Sequence, residues 1–327
     1  MYTKPNFIGI GQAKAATSWL YYNLRHHREV WVPPQKELHF FNKNFDYAAC
    51  ERRLIRFLGT PATEPGVTPI PIINVWDKML PPGLTAEEQQ AQMARLQMDF
   101  DFFIKALLSP RAKRVRQKLN KELNSFPKGE AFILRKRWHL NWYSELFPDT
   151  GMCCGEVTPH YSVLDAKNVG IIARFFPQLR VILILRDPVQ RALSHIQLNV
   201  RRGSWKGPFT ADTLIDLCRK HTVVLTKSRV SRLKATWFKH VPKDRLLVLD
   251  FRDIVAPSTA PRGPVHVLGD VAAFLGLDPD GFTADPYVHV MGNQSKIEIP
   301  DAVTDWLQQE LAGEADHLDD ILARHKP

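Results

Sequence analysis

The stretch Phe7 to Leu24 reads FIGIGQAKAATSWLYYNL and decides how the rest of the chain is arranged. Phe7 to Ile10 is a short apolar run, which predicts a buried first strand. Gly11 ends the run, and Ala13, Ala15 and Ala16 surround the single Lys14. Thr17 or Ser18 is expected to cap the following helix, because a hydroxyl can accept from the unpaired amides of a first turn. Leu20, Tyr21 and Leu24 then share one helical face. A strand, a tight loop of small residues and a helix start together present backbone N–H groups and a helix dipole to an anion. The loop departs from GxxxxGK[ST], in which the hydroxyl after Lys holds magnesium. Counted from Gly9, the second glycine position is Lys14, and the residue after it is Ala15; the hydroxyls arrive later, at Thr17 and Ser18.

Downstream, apolar runs alternate with helical patterns. Val30-Trp31-Val32 predicts a second strand that leaves through Pro33-Pro34. It leads into Lys36, Glu37 and His39, three groups capable of chemistry, followed by Phe40 and Phe41. Residues 60–83 are rich in proline and glycine and read as an irregular connection. Residues 85–126 read as helical with a break at Pro110, and residues 131–147 as a further helix ended by Pro148. Met152 to Val157 is a candidate strand, followed by Thr158-Pro159-His160-Tyr161 and a short helix over 168–176. Arg180 to Leu185 (RVILIL) has the continuous apolar character of a buried parallel strand. It runs into Arg186-Asp187-Pro188 and a helix carrying Arg191 and Ser194. Leu246 to Leu249 is another strand, residues 271–277 close a helix at Gly276, and an amphipathic helix spans 302–317 or beyond. Strands alternating with helices predict an α/β fold with a central parallel sheet flanked by helices. The expected organisation is one domain over 1–327, with a helical insertion at about 45–130.

Composition narrows the function classes. The chain has 327 residues, 44% of them hydrophobic, with 44 Lys plus Arg against 34 Asp plus Glu, for a net charge of +10. That balance suits steering of anionic ligands. Outside 111–121 the basic residues are scattered, so no nucleic-acid partner is expected. Cys50, Cys153, Cys154 and Cys218 show neither metal-ligand spacing nor a disulfide framework, and reduced thiols are expected. The motif begins seven residues in, and no apolar run reaches the roughly 18–20 residues of a membrane helix. A cytoplasmic protein without a transmembrane segment is therefore expected; the oligomeric state is not readable.

Three loops fall at predicted strand ends, over 11–18, 36–41 and 186–194. The first suits a phosphate-like group. Arg186 with Ser194, about two turns into the next helix, suits a second. A ligand with two separate anionic groups follows.

These stretches resemble the sulfotransferases that use 3′-phosphoadenosine 5′-phosphosulfate, most nearly the branch of the heparan sulfate sulfotransferases and their bacterial relatives. GQAKAATSWLYYNLRHH is similar to that family's 5′-phosphosulfate loop, PPQKELHFF to its KExxFF element, and RVILILRDPVQRALSH to its 3′-phosphate element. GEVTPHY (155–161), LVLDFRD (247–253) and AAFLGLD (272–278) are weaker echoes. The resemblance implies a phosphate-loop-like sulfotransferase fold. It implies that Lys14, Thr17 and Ser18, with the amides of Ala15 and Ala16, hold the 5′-phosphosulfate, and that Lys14 stabilises the leaving bridging oxygen. It implies that Arg186 and Ser194 bind the 3′-phosphate, that Glu37 is the base, and that His39 positions the acceptor. It further implies the sulfated nucleotide as co-substrate, an acceptor hydroxyl on a glycan, lipid or small metabolite, and no metal. Two departures stand out: Ala16 where the family usually has glycine, and Val157 where the heparan branch commonly has lysine.

Two other classes compete. A metal-dependent nucleotide kinase would need a hydroxyl directly after Lys14, where Ala15 stands. A non-catalytic binder of a nucleotide or sulfated glycan would have no use for Glu37 in its site.

Overall fold

The computed structural model describes residues 3–42, 85–107, 140, 143–257, 260–282, 297–325 and 327. Its centre is a five-stranded sheet of β1 (Phe7–Gly11), β2 (Val30–Trp31), β3 (Cys153–Val157), β4 (Arg180–Leu185) and β5 (Leu246–Asp250), in the order β2-β3-β1-β4-β5. Every pairing is parallel: Phe7 lies opposite Gly155 on one side and Arg180 on the other, Val30 opposite Cys153, and Val181 opposite Leu246. The parallel α/β sheet expected from the sequence is therefore present, with β1 in the middle.

Alternation along the strands supplies both faces. Ile8, Ile10, Val181, Leu183, Leu185, Leu246 and Val248 pack on one side with Phe41, Tyr143, Tyr161 and Trp237. Phe7, Ile182, Ile184, Leu247 and Leu249 pack on the other against helix α1 (Thr17–His26). Strands buried on both faces need this continuous apolar character, which is why RVILIL was readable. Helix α2 (Ala86–Leu107) starts with the reciprocal bonds of a capping box, Thr85 N to Glu88 Oε2 at 2.7 Å and Glu88 N to Thr85 Oγ1 at 3.3 Å. Its Arg95 donates to the carbonyls of Arg25, His27 and Val30, closing the end of α1 and the start of β2.

Helices α3 (Ala166–Phe175), α4 (Pro188–Arg201), α5 (Ala211–Lys220) and α6 (Pro264–Leu275) follow. Asp165 and Asp187 cap α3 and α4 by accepting from Asn168 N and Gln190 N. Gly276 ends α6 in the left-handed conformation, as its position predicted. The single last helix expected over 302–317 is instead two, α7 (Asp301–Glu310) and α8 (Glu314–His325), parted at Gly313 with φ of 77°. The apolar period carries across this break, so periodicity alone concealed it. α4, α5 and α7 form their own core with Ile196, Leu214 and Leu307 at its centre.

The connection at 60–83, Pro110, the basic run at 111–121, Cys50, Trp138 and Trp142 lie outside the described residues. Of the helix expected over 131–147, Leu140 and residues 143–145 are helical, and Phe147 is buried in packing as expected. Cys153, Cys154 and Cys218 are free thiols. Among the described residues, no helix is long and apolar enough to cross a membrane.

Candidate active site

The three loops singled out in the sequence leave the sheet at the carboxyl ends of β1, β2 and β4, where open α/β sheets build sites. The first turns sharply. Gly11 has φ of 135°, and a Cβ there would stand 2.7 Å from the Pro159 carbonyl oxygen, so the position requires glycine. Lys14 and Ala16 both adopt left-handed conformations, with φ of 75° and 55°. Ala16, in the place where glycine is usual, is the N-cap of α1 and makes no side-chain cap. The expectation that Thr17 or Ser18 caps the helix is thus corrected. The left-handed turn carries the chain into α1 one residue earlier and puts both hydroxyls inside the first turn, where the amides have no carbonyl partner within the helix.

Two guanidinium groups hold the loop from behind. Arg186 Nη1 donates to the Lys14 carbonyl at 2.9 Å, and Arg191 Nη1 to the Ala13 carbonyl at 3.3 Å. Drawing these carbonyls toward the arginines turns the attached amides the other way. Gln12 is buried and ties the ends of β1 and β4 to the turn at Lys227: its N–H reaches the Ile184 carbonyl at 2.8 Å, its Oε1 accepts from Arg186 N at 3.4 Å, and its Nε2 donates to the Lys227 carbonyl at 3.5 Å. The Ala15 amide donates to the Gln12 carbonyl at 3.1 Å and is committed to the turn itself.

The electrostatics match an anion site. Burial, and then Arg201, Arg186, Arg202 and Arg191 in turn, lower the Lys14 pKa to about 8. Arg186 lies 4.4 Å over the Phe251 ring; burial lowers its pKa, and its buried Nε has no hydrogen-bond partner among the described residues. A desolvated guanidinium with an unused N–H is a donor suited to a phosphate oxygen. Ser194 is half-buried on α4. Arg191, on the same helix, is wholly buried and among the described residues has no carboxylate partner; Ser228 Oγ at 2.7 Å, the Val224 carbonyl at 2.6 Å and His195 Nδ1 at 3.4 Å also receive its donors.

The second loop meets the first through Lys36, whose Nζ stands 3.3 Å from Ser18 Oγ. Beneath it lies a buried acid. Glu156 accepts from Tyr143 Oη at 2.5 Å, Tyr161 Oη at 2.9 Å and Thr158 Oγ1 at 2.7 Å. Thr158 Oγ1 in turn accepts from the amides of Leu38 at 3.1 Å and His39 at 3.5 Å. Phe40 stacks on Tyr143 with centroids 4.3 Å apart, and Phe41 meets Tyr161 edge-on. The two phenylalanines are the anchor, and the residues before them are turned into the site.

Glu37 Oε2 has two imidazoles beside it, His39 Nε2 at 3.3 Å and His160 Nδ1 at 3.4 Å. Both contacts lie just beyond the usual length of an N–H···O hydrogen bond. Burial raises the Glu37 pKa, but the His160 bond and the charges of Lys36, His39 and His160 outweigh it and leave the group lowered. The nearby cations expected to keep this carboxylate ionised are thus present. His160 Nε2 lies 2.6 Å from Lys227 Nζ. An ammonium can only donate, so Nε2 accepts and the proton of a neutral His160 sits on Nδ1, facing Glu37. Glu37, His39 and His160 place three possible ligand atoms within 4.8 Å of one another. The Nδ1–H toward Glu37 and the neighbouring ammonium groups of Lys36 and Lys227 suit a carboxylate better than a divalent cation.

The structure thus joins Lys14 to Arg186, Ser18 to Lys36, and Glu37 to His39. It adds Gln12, Glu156, Thr158, His160 and Lys227, to which the sequence gave no role. The signal for three of them was the stretch GEVTPHY at 155–161; Lys227 lies in no motif.

The model of the sulfotransferase family matches residues 5–280. Among curated proteins none matches the chain. The crystal structure of a sulfotransferase from Alicyclobacillus acidocaldarius superposes with a TM-score of 0.53 at 20% identity, covering 99% of this chain and 97% of that one. The sulfotransferase domain of the Synechococcus PCC 7002 olefin synthase (TM-score 0.43, 16% identity, 97% and 95% covered) and sulfotransferase STF9 from Mycobacterium avium (0.45, 13%, 98% and 77%) are similar more loosely. With a family match over residues 5–280 that runs through the strand-loop-helix at Lys14 and the arginine at the end of β4, the chain belongs to the sulfotransferase family.

Proposed function

We propose that this protein moves a sulfuryl group from 3′-phosphoadenosine 5′-phosphosulfate to an acceptor hydroxyl. One observation carries the reading: the loops of β1, β2 and β4 meet in one site, with Arg186 on the Lys14 carbonyl and Lys36 on Ser18. The lowered pKa of Lys14 and the unused Nε of Arg186 support two anion positions in that site. The first-turn amides, Thr17, Ser18 and Lys14 receive the 5′ end, and Arg186 with Ser194 the 3′-phosphate. Ala16 contributes by its left-handed turn, and Ala15 by closing that turn. Lys14 supplies charge to the bridging oxygen as its bond to sulfur breaks. Glu37 takes the proton of the acceptor hydroxyl, and His39 orients the acceptor. No metal is required, since Lys14 and the arginines supply the positive charge. The acceptor is an alcohol of a glycan, lipid or small metabolite, and the whole chain works as one domain.

Calorimetry with adenosine 3′,5′-bisphosphate in the presence of EDTA tests the donor site. Binding is expected to persist, and Arg186→Ala to weaken it by about 1.5–3 kcal/mol, as for a hydrogen bond to a charged group. The analogue lacking the 3′-phosphate should be nearly indifferent to that change. An acceptor screen read by mass spectrometry then supplies the substrate, and Glu37→Gln should slow turnover by roughly 100-fold or more. Binding that disappears with EDTA would favour a metal-dependent phosphotransferase.

A further inference from the structure

His160 and Lys227 come from elements far apart in sequence, yet they meet at 2.6 Å behind the carboxylate of Glu37. His160 lies in the turn after β3, at Pro159–Val163. Lys227, nearly buried at 5% exposure, follows the short helix Val223–Thr226. That helix is fastened to the donor loop, because Arg191 bonds Ser228 Oγ, the Val224 carbonyl and the Ala13 carbonyl at once. Gln12 adds a second tie from the loop to the Lys227 carbonyl.

We propose that His160, held in one tautomer by Lys227, is a positioning residue for Glu37. Its Nδ1–H faces Oε2 and leaves Oε1 to receive the acceptor's proton. The proposal rests on the reading of Glu37 as base. His39 Nε2 approaches the same Oε2, so both rings crowd one oxygen of the carboxylate. When the acceptor oxygen bonds to sulfur, its proton passes to Oε1, and the resulting neutral carboxyl stays oriented through Oε2. Among the described residues, the titratable groups that act on Glu37 are Lys36 and His39 on its own loop and His160 on the turn after β3, with Lys227 behind His160. His195 on α4 feels Lys227 and His160 in turn. Loss of the His160 contact removes the leading influence that lowers the Glu37 pKa, so its titration must move upward.

Imidazole nitrogen NMR of the full-length, ligand-free protein reads the tautomer, with the His160 signals assigned by their absence in His160→Asn. The expected signature is a protonated Nδ1 and an unprotonated Nε2, lost in Lys227→Met. Carboxyl NMR of labelled glutamate gives the Glu37 titration. It should shift upward in His160→Ala and return most of the way in His160→Asn, whose amide nitrogen stands near the Nδ1 position. With an acceptor from the screen, His160→Ala should lower kcat about tenfold, a part of the base contribution. Acceptor KM and affinity for adenosine 3′,5′-bisphosphate should hold, and no further loss should appear on a Glu37→Gln background. If His160→Ala does not fold, Lys227→Met and His160→Asn still decide the matter. A proton found on Nε2 would overturn the proposal, as would an unmoved Glu37 titration in a folded variant, or an equal loss of kcat on both backgrounds. Zn2+ binding that needs Glu37, His39 and His160 together would overturn it as well, since Nδ1 would then be a ligand. Normal turnover in Glu37→Gln would remove the base reading alone, and the NMR results would still report whether the contact exists.

Discussion

His195 makes the protein's stability sensitive to acid in a way that can be measured without any substrate. The side chain is 8% exposed on α4. Its Nδ1 is 3.4 Å from Arg191 Nη2. A guanidinium only donates, so Nδ1 accepts and the ring is neutral. Burial first, then Arg191, Lys227, Lys14 and His160, lower its pKa from 6.5 to about 3. The sign follows from linkage: an unfolded chain protonates this histidine below pH 6.5, while the folded one does not. Its contribution to stability is complete above that value and is lost as the pH falls toward about 3. Between pH 6.5 and roughly pH 5 the loss is about 1.5 pH units at 1.36 kcal/mol each, or about 2 kcal/mol. His195→Asn keeps an acceptor near the Nδ1 position and does not titrate. Urea denaturation at a series of pH values should show the variant gaining on the parent by about 2 kcal/mol over that window, whatever fixed cost the smaller side chain brings. Parallel curves for the two proteins would refute the reasoning, and so would a His195 ring that titrates near its ordinary value by NMR.

Three further outcomes follow from the site. Thr158→Val removes the hydroxyl that Leu38 N and Glu156 share, and it should destabilise the fold by about 2–4 kcal/mol, from an orphaned amide and a lost bond to a carboxylate; Thr158→Ser should recover most of this in urea denaturation, and equal losses would make the methyl the cause. Because Lys14 has a pKa of about 8, an anion at the loop should draw in a proton near that pH; calorimetry of adenosine 3′,5′-bisphosphate in buffers of different ionisation enthalpy should detect net uptake, and Lys14→Met should abolish it. Ala16→Gly should raise stability by roughly 0.5–1 kcal/mol, the left-handed cost of about 1–2 kcal/mol for a non-glycine residue less the extra freedom glycine has when unfolded; a lower melting temperature would contradict it.

The sheet was legible chiefly through β1 and β4, which are buried on both faces and are therefore apolar runs ended by glycine or charge. RVILIL before Arg186 and FIGIG before Gln12 need no partner information to be recognised. The short strand at Val30–Trp31 was legible through the prolines after it. The beginning of α1 was misread because hydroxyl capping presumes an extended N-cap, whereas Ala16 enters the helix from the left-handed region. The division of the last helix was missed because Gly313 interrupts the backbone without interrupting the apolar stripe. Within the site, Lys14, Glu37 and Arg186 were visible because each stands at the end of its own strand. His160 and Lys227 were given no role because their meaning lies in each other, 67 positions apart, and no local pattern records such a pair.

The two carboxylates near the second loop show how one fold assigns opposite tasks to the same side chain. Glu156 points into the core from β3, with hydroxyls of Tyr143, Thr158 and Tyr161 as its partners. Burial therefore prevails, and its pKa is raised. Glu37 lies a few residues beyond β2, partly open to solvent and surrounded by Lys36, His39 and His160, and its pKa is lowered. Such a carboxylate is ionised at neutral pH but is a weak base, because basicity falls with pKa. In the role of base proposed for it, Glu37 would therefore depend on placement and on charge elsewhere in the site. Charge is available at Lys14. Placement is available from Glu156, which through Thr158 fixes the amides of Leu38 and His39, the two peptides that follow Glu37. The buried acid and the half-buried one are thus linked: the first cannot reach a substrate, and through Thr158 it helps to fix the backbone that carries the second.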